Sequence, residues 1–574
     1  MDINNLITCH REGQRSYLSE RKGSVVPFTS RQSDLSTYNG TYVRFIFAML
    51  FLLNSVSYSQ NVTPTISNTL RYGNGNRGAG NLSLPFSYFE NLTDVRLNFQ
   101  PAVTVGFRLL VDDPPEVGES FQGLRRRFVE FNQNNFSLRA GNFSELFGRG
   151  LALNLFENRT LAYDTWMDGV KARYSSPLVN ATIVGGTIDF RDSVVVARFE
   201  KYKVRGANVE VQPIKQWTLG LSYVDVNGFI PQFVGNKSVT ANIPEVYATI
   251  NIDRWDGFAG FSRKWVNVVD DTATSVGNGV YASLSYSGDG IGVTFDYKDY
   301  RYDIRDPFGR IDNARATRLL PLQNPPTVQK EHTTTLLTRA LHQVDFNDEV
   351  GIQAEGFYML SPSTTFNINA SAASRHHFYD YNKTLFTFTE RKRNSSFLPS
   401  LNDRLSPYWE LFAEVEHYFE EHSALRIGIA RRANTLYNDF NGSAFNRVQQ
   451  ATTVPVQVQY RLAEDYSFII QSELEWQYDS YSTNNEHFYN QLTTLTFTRS
   501  PDATISARYE ITTNTSDPSG RKDWFVGEVG CTFGQSHTVT FSYGRERGGQ
   551  VCSNGICQYQ PPFSGGRFTL RSQL

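Results

Sequence analysis

The chain has 574 residues and a net charge of −2, and its mean hydropathy is −0.40. The near-neutral charge gives no field of one sign that would favour nucleic acid as a partner. The low hydropathy excludes a bundle of membrane-spanning helices, because each helix would need about 20 apolar residues.

The N-terminal segment does not read as part of a folded domain. Residues 1–42 are polar and unpatterned, and we interpret them as an extended leader or as the result of a mis-assigned start. Residues 43–59 contain a basic residue, an apolar run and small residues at Ser57 and Ser59. This is the pattern of a secretory signal peptide, although a buried helix is the alternative. The pattern predicts an exported protein whose folded part is 60–574.

From about residue 90 to Leu574, short runs alternate apolar with polar residues, and turns or polar loops separate them. Successive side chains in a strand point to opposite faces, so each run has one apolar and one polar face. In one such run, Phe295 is expected to face lipid and Asp296 to face the interior. Strands of about 9–11 residues with this alternation are the signature of a transmembrane β-barrel.

The connections between the runs are alternately short and long. Outer-membrane barrels combine short periplasmic turns with longer external loops, and their C-terminus lies on the periplasmic side. The sequence therefore predicts an all-β, antiparallel transmembrane barrel of about 24 strands, within a range of roughly 16–26. The predicted location is the outer membrane of a bacterial cell.

The loop 144–168 carries both charged and apolar residues. A fully solvated loop would not need the apolar ones, so we expect it to fold into the barrel interior, the lumen. Inward-facing Arg139, Lys171 and Arg173 would then stand opposite Glu157, Asp164 and Asp168. Such opposed cationic and anionic walls would constrict a pore and select polar solutes. A purely structural salt-bridge loop is the alternative. The predicted constriction residues are Arg139, Arg149, Glu157, Arg159, Asp164, Asp168, Lys171 and Arg173.

Two resemblances to known families accompany these motifs. About forty residues resemble the motif region of alginate-export and related porin-like barrels, through Arg139-x-Gly141, Phe147-Gly148-x-Gly150, Asp168-Gly169-Val170-Lys171 and Tyr174. Roughly residues 90–574 are similar to a family of uncharacterised outer-membrane barrels from Bacteroidota, through Glu157-Asn158-Arg159, Asn324-Pro325-Pro326-Thr327, Lys330-Glu331-His332 and the last loop with Cys552 and Cys557. The closer resemblance implies fold and location but no substrate.

Cys552 and Cys557 lie close together in a polar loop with Gly555 between them. In an exported protein this spacing favours a disulfide, and two free thiols are the alternative. A metal pair is disfavoured because no second Cys or His pair lies nearby in sequence. We predict no metal and no cofactor.

These features favour a porin-like channel for passive passage of a polar solute, constricted by loop 144–168. A structural or accessory barrel with a closed lumen, serving surface assembly or secretion, is the alternative. No catalytic motif was found, so we predict that the chain is not an enzyme. The expected partners are outer-membrane lipid and lipopolysaccharide, a small polar solute and the barrel-insertion machinery, without nucleic acid.

Overall fold

The structure is a computed structural model and describes residues 62–78, 83–192, 198–231, 236–268, 274–302, 320–339, 342–393, 397–439, 446–482, 485–553 and 555–574. Every described residue belongs to one compact unit, 61–574. The predicted leader and signal peptide lie outside the described residues. Among the described residues, no helix is long and apolar enough to cross a membrane.

The described chain is built almost entirely from strands. In chain order they are β1 (Val62–Arg77), β2 (Leu84–Phe99), β3 (Val103–Asp112), β4 (Phe121–Gln133), β5 (Phe136–Phe143), β6 (Glu157–Asn158), β7 (Tyr163–Asp164), β8 (Met167–Ser175), β9 (Val179–Asp192), β10 (Arg198–Ile214), β11 (Trp217–Pro231), β12 (Asn236–Ile252), β13 (Trp255–Val268), β14 (Ser275–Gly288), β15 (Ile291–Arg301), β16 (Glu349–Ser361), β17 (Thr364–Ser374), β18 (His377–Asn382), β19 (Thr387–Lys392), β20 (Tyr408–Glu420), β21 (Ser423–Leu436), β22 (Arg447–Ala463), β23 (Tyr466–Asp479), β24 (His487–Arg499), β25 (Ala503–Thr512), β26 (Asp523–Phe533), β27 (His537–Glu546), β28 (Gly549–Ser553), β29 (Ile556–Gln560) and β30 (Phe563–Gln573). One short helix, α1 (Thr335–Arg339), and the 3-10 turns Arg159–Leu161 and Asp403–Leu405 lie between strands.

Twenty-four of these strands form one antiparallel sheet in which each strand pairs with the next along the chain. The last strand, β30, pairs with the first, β1, from Ser67↔Gln573 to Arg77↔Phe563. The sheet is therefore a closed barrel, and the predicted fold class and strand number are confirmed. The remaining strands form three small hairpins, β6–β7, β18–β19 and β28–β29.

The barrel begins earlier than the sequence pattern indicated. Strand β1 starts at Val62, whereas the alternation was recognised only from about residue 90. The reason is the composition of β1, which is rich in Thr, Asn and Gly, so that few of its residues mark an apolar face. Its place in the sheet comes from pairing with β2 and β30 instead.

The two ends of the barrel differ in their connections. At one end, here called the turn end, consecutive strands are joined by two or three residues. At the other, the loop end, the connections are longer and include residues 144–166 and 302–348. Both described chain termini lie at the turn end. This confirms the predicted alternation of short turns with long loops.

Alternation along the strands separates an outer face from an inner face. Leu221 and Phe295 are 58% and 56% exposed on the outer face, whereas inward-facing Lys298 is fully buried. The inner face is less polar than the barrel pattern predicted. Strands β9 to β13 present buried apolar side chains to the lumen, among them Val204, Val224, Val226 and Ile243. The inner face of these strands is apolar because other segments of the chain cover it.

Among the described residues, three segments from the loop end enter the lumen and pack on its inner wall. The loop insert is residues 144–166, and the central insert is the described residues 320–339 and 342–348, which contain α1. The hairpin insert is the β28–β29 hairpin. Apolar residues of the first two belong to one buried cluster with the inner wall of β9 to β13, and two residues of the hairpin insert pack against that cluster.

Candidate functional site

The loop insert packs on the inner wall through fully buried apolar side chains. Phe147, Leu151 and Leu153 are 0% exposed. Phe147 lies against Gly206 on the inner face of β10, where a Cβ atom would stand 3.0 Å from the phenyl ring. A tight turn begins at Phe147, whose carbonyl accepts a hydrogen bond from the Gly150 N–H at 2.8 Å. The insert thus lies inside the barrel, as the apolar residues of this loop predicted.

The loop insert is also bonded to the central insert. The Gln323 side chain donates to the Leu151 carbonyl at 2.7 Å, and the Asn154 amide donates to the Leu322 carbonyl at 2.8 Å. Tyr163 donates its hydroxyl hydrogen to the Pro321 carbonyl at 2.5 Å. These bonds satisfy polar groups that would otherwise be buried without partners. The two inserts therefore form one packed body within the lumen.

Two carboxylates of the loop insert bind arginines of β3 and β4. Glu157 lies 2.7 Å from Arg108 and 2.9 Å from Arg126, measured between carboxylate oxygen and guanidinium nitrogen. Asp164 lies 3.0 Å from Arg126 and 3.1 Å from Arg125. The cluster is mostly buried, so each charge depends on its partners for stabilisation.

A β-bulge explains how adjacent arginines reach the same carboxylate. Arg108 pairs with Arg126, but its neighbour Leu109 pairs with Leu124, which leaves Arg125 as the extra residue on β4. A bulge interrupts the alternation of faces and re-aims a side chain. Arg125 and Arg126 can therefore both contact Asp164 from the inner wall.

Arg159 extends this group of ion pairs at the loop end of the barrel, which is here called the charged rim. Its guanidinium lies 2.6 Å from Glu90 and 3.3 Å from Asp112, which are carboxylates of β2 and β3. The 3-10 turn that begins at Arg159 is capped by Asn158, whose side chain accepts from the Leu161 amide at 3.3 Å. The predicted residues Glu157, Arg159 and Asp164 thus lie together at the rim.

The expected partners of these carboxylates are placed elsewhere. Arg139 and Lys171 face inward, but Arg139 pairs with Glu130 at 3.2 Å, and Lys171 pairs with Glu145 at 3.1 Å. Arg173 is inward by its register and exposed, without a described contact to the loop insert. The prediction that these three cations oppose Glu157, Asp164 and Asp168 is therefore wrong. The reason is that the arginines of β3 and β4 are nearer.

Asp168 is not in the lumen. Along β8 the inward positions are odd-numbered, as shown by buried Met167 opposite Phe143. Asp168 is even-numbered, shares the outer face with Val170 and is exposed. Its predicted role as a constriction residue is therefore corrected. The error came from treating it as a loop residue, whereas β8 already begins one residue earlier.

Arg108, Arg125 and Arg126 were missed as site residues. The signal that could have revealed the last two is the run Arg125-Arg126-Arg127 within a strand. Three consecutive cations cannot all fit an alternation of lipid and lumen, so such a run indicates a bulge. No comparable signal in the sequence singles out Arg108.

The central insert is held to the inner wall by charges at both ends of α1. The Glu473 carboxylate of β23 accepts hydrogen bonds from the Thr335 and Leu336 amides at 2.9 and 2.6 Å. At the other end, the Arg432 guanidinium of β21 donates to the Leu337 carbonyl at 2.6 Å. Because helix termini carry unsatisfied amides and carbonyls, one anion and one cation complement them.

The central and hairpin inserts share one carboxylate of the wall. Glu510 of β25 pairs with Arg339 at the end of α1 and lies 2.9 Å from Arg547, which precedes the hairpin insert. Arg547 also lies 2.8 Å from Asp517. Removing Glu510 would therefore leave two buried guanidinium groups short of a counter-ion.

Histidines lie beside carboxylates where the central insert meets β15 and β17. The two ring nitrogens of His376 lie 3.1 Å from Asp299 and 3.1 Å from Asp348. Burial alone would lower the pKa of His376, but hydrogen bonds to these carboxylates outweigh it and raise the pKa above its ordinary value. No cluster of three or more His, Cys, Asp or Glu side chains able to hold a metal is present among the described residues.

The hairpin insert carries the predicted cysteine pair. Cys552 and Cys557 are direct partners across β28 and β29, and their sulfur atoms are joined in a disulfide. Gly555 at the hairpin turn lies against Phe346 of the central insert, where its positive φ of 75° and the nearby ring leave no room for a Cβ atom. The disulfide therefore closes the hairpin that contacts the central insert.

Arg149 lies at the side of the loop insert that faces the inner wall of β13, and its side chain is exposed. Its guanidinium carbon is 5.4 Å from the ring centre of Phe258. The Phe258 ring is stacked 5.7 Å from Tyr247 and lies 5.9 Å from Tyr281. Arg149, one of the predicted constriction residues, therefore places a cation against a row of aromatic side chains on the inner wall.

The comparisons with known proteins concern the barrel as a whole. The chain is similar to the siderophore receptor PirA from Pseudomonas aeruginosa at 8% identity and a TM-score of 0.45, covering 89% of this chain and 80% of that one. It is similar to the copper transporter OprC at 10% identity and a TM-score of 0.42, covering 90% and 80%. For Pseudomonas aeruginosa OpdQ the identity is 10%, the TM-score 0.37 and the coverage 73% and 98%. The search of curated proteins gave no match.

A protein-family profile gives the closer relationship. Residues 93–574 match the family described as "Family of unknown function (DUF6029)". This range includes every barrel strand from β3 onward and all three inserts. The chain therefore belongs to the family of unknown function DUF6029.

Proposed function

We propose that this barrel is an outer-membrane channel for passive passage of a small polar solute, and that the loop insert narrows it. The observation that carries the proposal is that inward polar side chains become more exposed towards the turn end of the barrel. On β22, inward Thr453 is 0% exposed beneath the inserts, whereas Gln457 and Gln459 are partly exposed nearer the turn end. A polar wall that faces water is what a solute pathway requires.

The constriction is proposed to lie at the edge of the loop insert that is nearest to the turn end, where the polar part of the inner wall begins. Arg149 supplies an exposed cation there, and the rim cluster around Glu157, Arg159 and Asp164 lies towards the loop end. A narrow passage between fixed charges selects solutes by charge and by their hydrogen-bonding groups. Arg139, Lys171 and Arg173 are proposed to act on the wall beside the passage rather than within the rim.

A structural or accessory barrel is the second candidate. It is favoured by the extent of filling, since the three inserts pack into the lumen through apolar contacts as well as ion pairs. A channel of this kind would require the inserts to leave a path or to move. A closed barrel would serve surface assembly or secretion without conducting ions.

Conductance separates the two candidates. The purified full chain is expected to form discrete channels in planar bilayers, and Arg149→Ala or Asp164→Ala is expected to shift the reversal potential in a salt gradient. Arg391→Ala is the matched control, because Arg391 is an exposed cation on the β18–β19 hairpin. Folded protein that never conducts would favour the accessory role. Channels whose selectivity ignores Arg149 and Asp164 would remove the loop insert from the constriction.

The location and the surroundings are part of the same proposal. A closed barrel with an apolar outer face is a form that can span a membrane, because no strand edge is left unpaired. We infer an outer membrane of the Bacteroidota, contact with its lipid and lipopolysaccharide, delivery by the barrel-insertion machinery and no catalytic activity. Membrane fractionation of the native cells tests the location.

A further inference from the structure

We propose that the inner wall beside Arg149 is a binding site for a cationic group of the solute, and that Arg149 is its internal occupant. This inference deepens the proposed function and rests on it for the passage of the solute. It names guanidinium- or ammonium-bearing molecules as the solute class.

The site is built from an aromatic face and a carboxylate on neighbouring strands. Phe258 of β13, Ser283 of β14 and Asp296 of β15 are consecutive partners in the sheet register. At the usual spacing between strands, Phe258 and Asp296 are about 10 Å apart along the wall. The residue between them on the inner face is the small Ser283, and the next inward side chain on β14 is Tyr281.

Tyr281 joins the ring to the carboxylate. Its ring centre lies 5.9 Å from that of Phe258, and its hydroxyl donates a hydrogen bond to Asp296 at 2.8 Å. The aspartate is thus oriented by a neutral donor, and its negative charge remains available to a cation. On the other side of Phe258, Tyr247 donates in the same way to Glu210 at 2.8 Å.

Arg149 shows which chemistry the site accepts. Its guanidinium lies over the Phe258 ring, in the geometry of a cation–π contact, yet the side chain remains exposed. A cation is attracted to the face of an aromatic ring, and nearby carboxylates strengthen that attraction. With Glu210 and Asp296 against one arginine, the wall keeps an excess of negative charge. A solute cation can therefore replace Arg149 without leaving the wall unbalanced.

The same residues fit an anionic solute less well. An anion drawn to Arg149 would have to approach Asp296 and Glu210, and the face of the Phe258 ring would repel it. A neutral sugar could donate hydroxyl hydrogens to the two carboxylates but would leave their negative charge uncompensated. The site therefore favours a cation over both alternatives.

Binding to the detergent-solubilised full chain tests the inference separately from conduction. In isothermal titration calorimetry, agmatine is expected to bind, whereas glutarate and ribose are not. Arg149→Gln is expected to tighten agmatine binding several-fold, because it removes the internal competitor. Asp296→Asn is expected to weaken it about fivefold, and Phe258→Leu by a similar factor. Glu210→Gln, farther along the wall, is expected to have a smaller effect.

Arg391→Gln is the control and is expected to leave binding unchanged. Heat-modified migration on gels checks that each variant retains the folded barrel, and if Asp296→Asn does not fold, Phe258→Leu and Arg149→Gln carry the test. Equal binding of glutarate or ribose, weaker binding in Arg149→Gln, or no agmatine binding in either wild type or Arg149→Gln would overturn the inference. Agmatine binding without any bilayer conductance would support the site but refute the channel. Bilayer conductance without agmatine binding would support the channel but refute the binding site.

Discussion

Replacing Glu473 by alanine is expected to release α1 from the inner wall. The side chain of Glu473 is fully buried and accepts two hydrogen bonds, from the Thr335 and Leu336 amides. In the alanine variant both amides lose this charged acceptor inside a packed lumen. The bonds formed by Arg432 and Arg339 at the other end of α1 remain. The helix is therefore expected to loosen while the barrel persists.

The size of the effect follows from the number of bonds lost. A hydrogen bond to a charged group contributes about 1.5–3 kcal/mol to stability. Two such bonds give at least about 3 kcal/mol, which corresponds to a shift on the order of 100-fold in the equilibrium between held and released α1. The shift is local, because β23 keeps its pairing with β22 and β24.

Hydrogen exchange measured by mass spectrometry on the detergent-solubilised protein reads this shift directly. Amides of residues 331–339 are expected to exchange on the order of 100 times faster in Glu473→Ala, while peptides from β22 and β23 exchange as in the wild type. Glu464→Ala is the matched control, since Glu464 is an exposed acid in the turn of the same hairpin. Unchanged protection of α1 in Glu473→Ala would refute the account of how the central insert is held.

Two further predictions concern the loop end. Because the two carboxylates raise the pKa of His376, its protonated form stabilises this region fully below about pH 6.5, and this stabilisation is lost as the pH rises through the raised pKa. The melting temperature of the wild type is therefore expected to fall over this increase in pH, and that of His376→Gln to fall less. An identical pH dependence of the melting temperature in both proteins would contradict the assignment. For the hairpin insert, alkylation of the unfolded, unreduced protein is expected to label Cys531 but neither Cys552 nor Cys557 until a reductant is added. The labelled residues are identified by mass spectrometry. Labelling of all three cysteines without reductant would show that the disulfide is absent.

Local features of the sequence were sufficient to predict the barrel. A strand reports its surroundings with a period of two, so residues such as Leu221 and Phe295 could be assigned to the outer face from their immediate neighbours. The short turns and the Cys552–Cys557 pairing are equally local, since the partners are only five residues apart in sequence. The inward course of the loop insert could be inferred for the same reason, from apolar residues within one loop.

The tertiary structure alone decided which charges meet. Glu157 was expected to face Arg139 or Lys171 but binds Arg108, which is 49 residues away, because the order of strands around the barrel places β3 beside the loop insert. The contact of Glu473 with α1 spans 138 residues and has no trace in the sequence near either partner. Strand alternation is set by the medium on each side of the wall, whereas ion pairs in the lumen are set by which strands and inserts are brought together. Strand alternation can therefore be recognised in a single sequence, whereas the ion pairs of the lumen become known only from the closed fold.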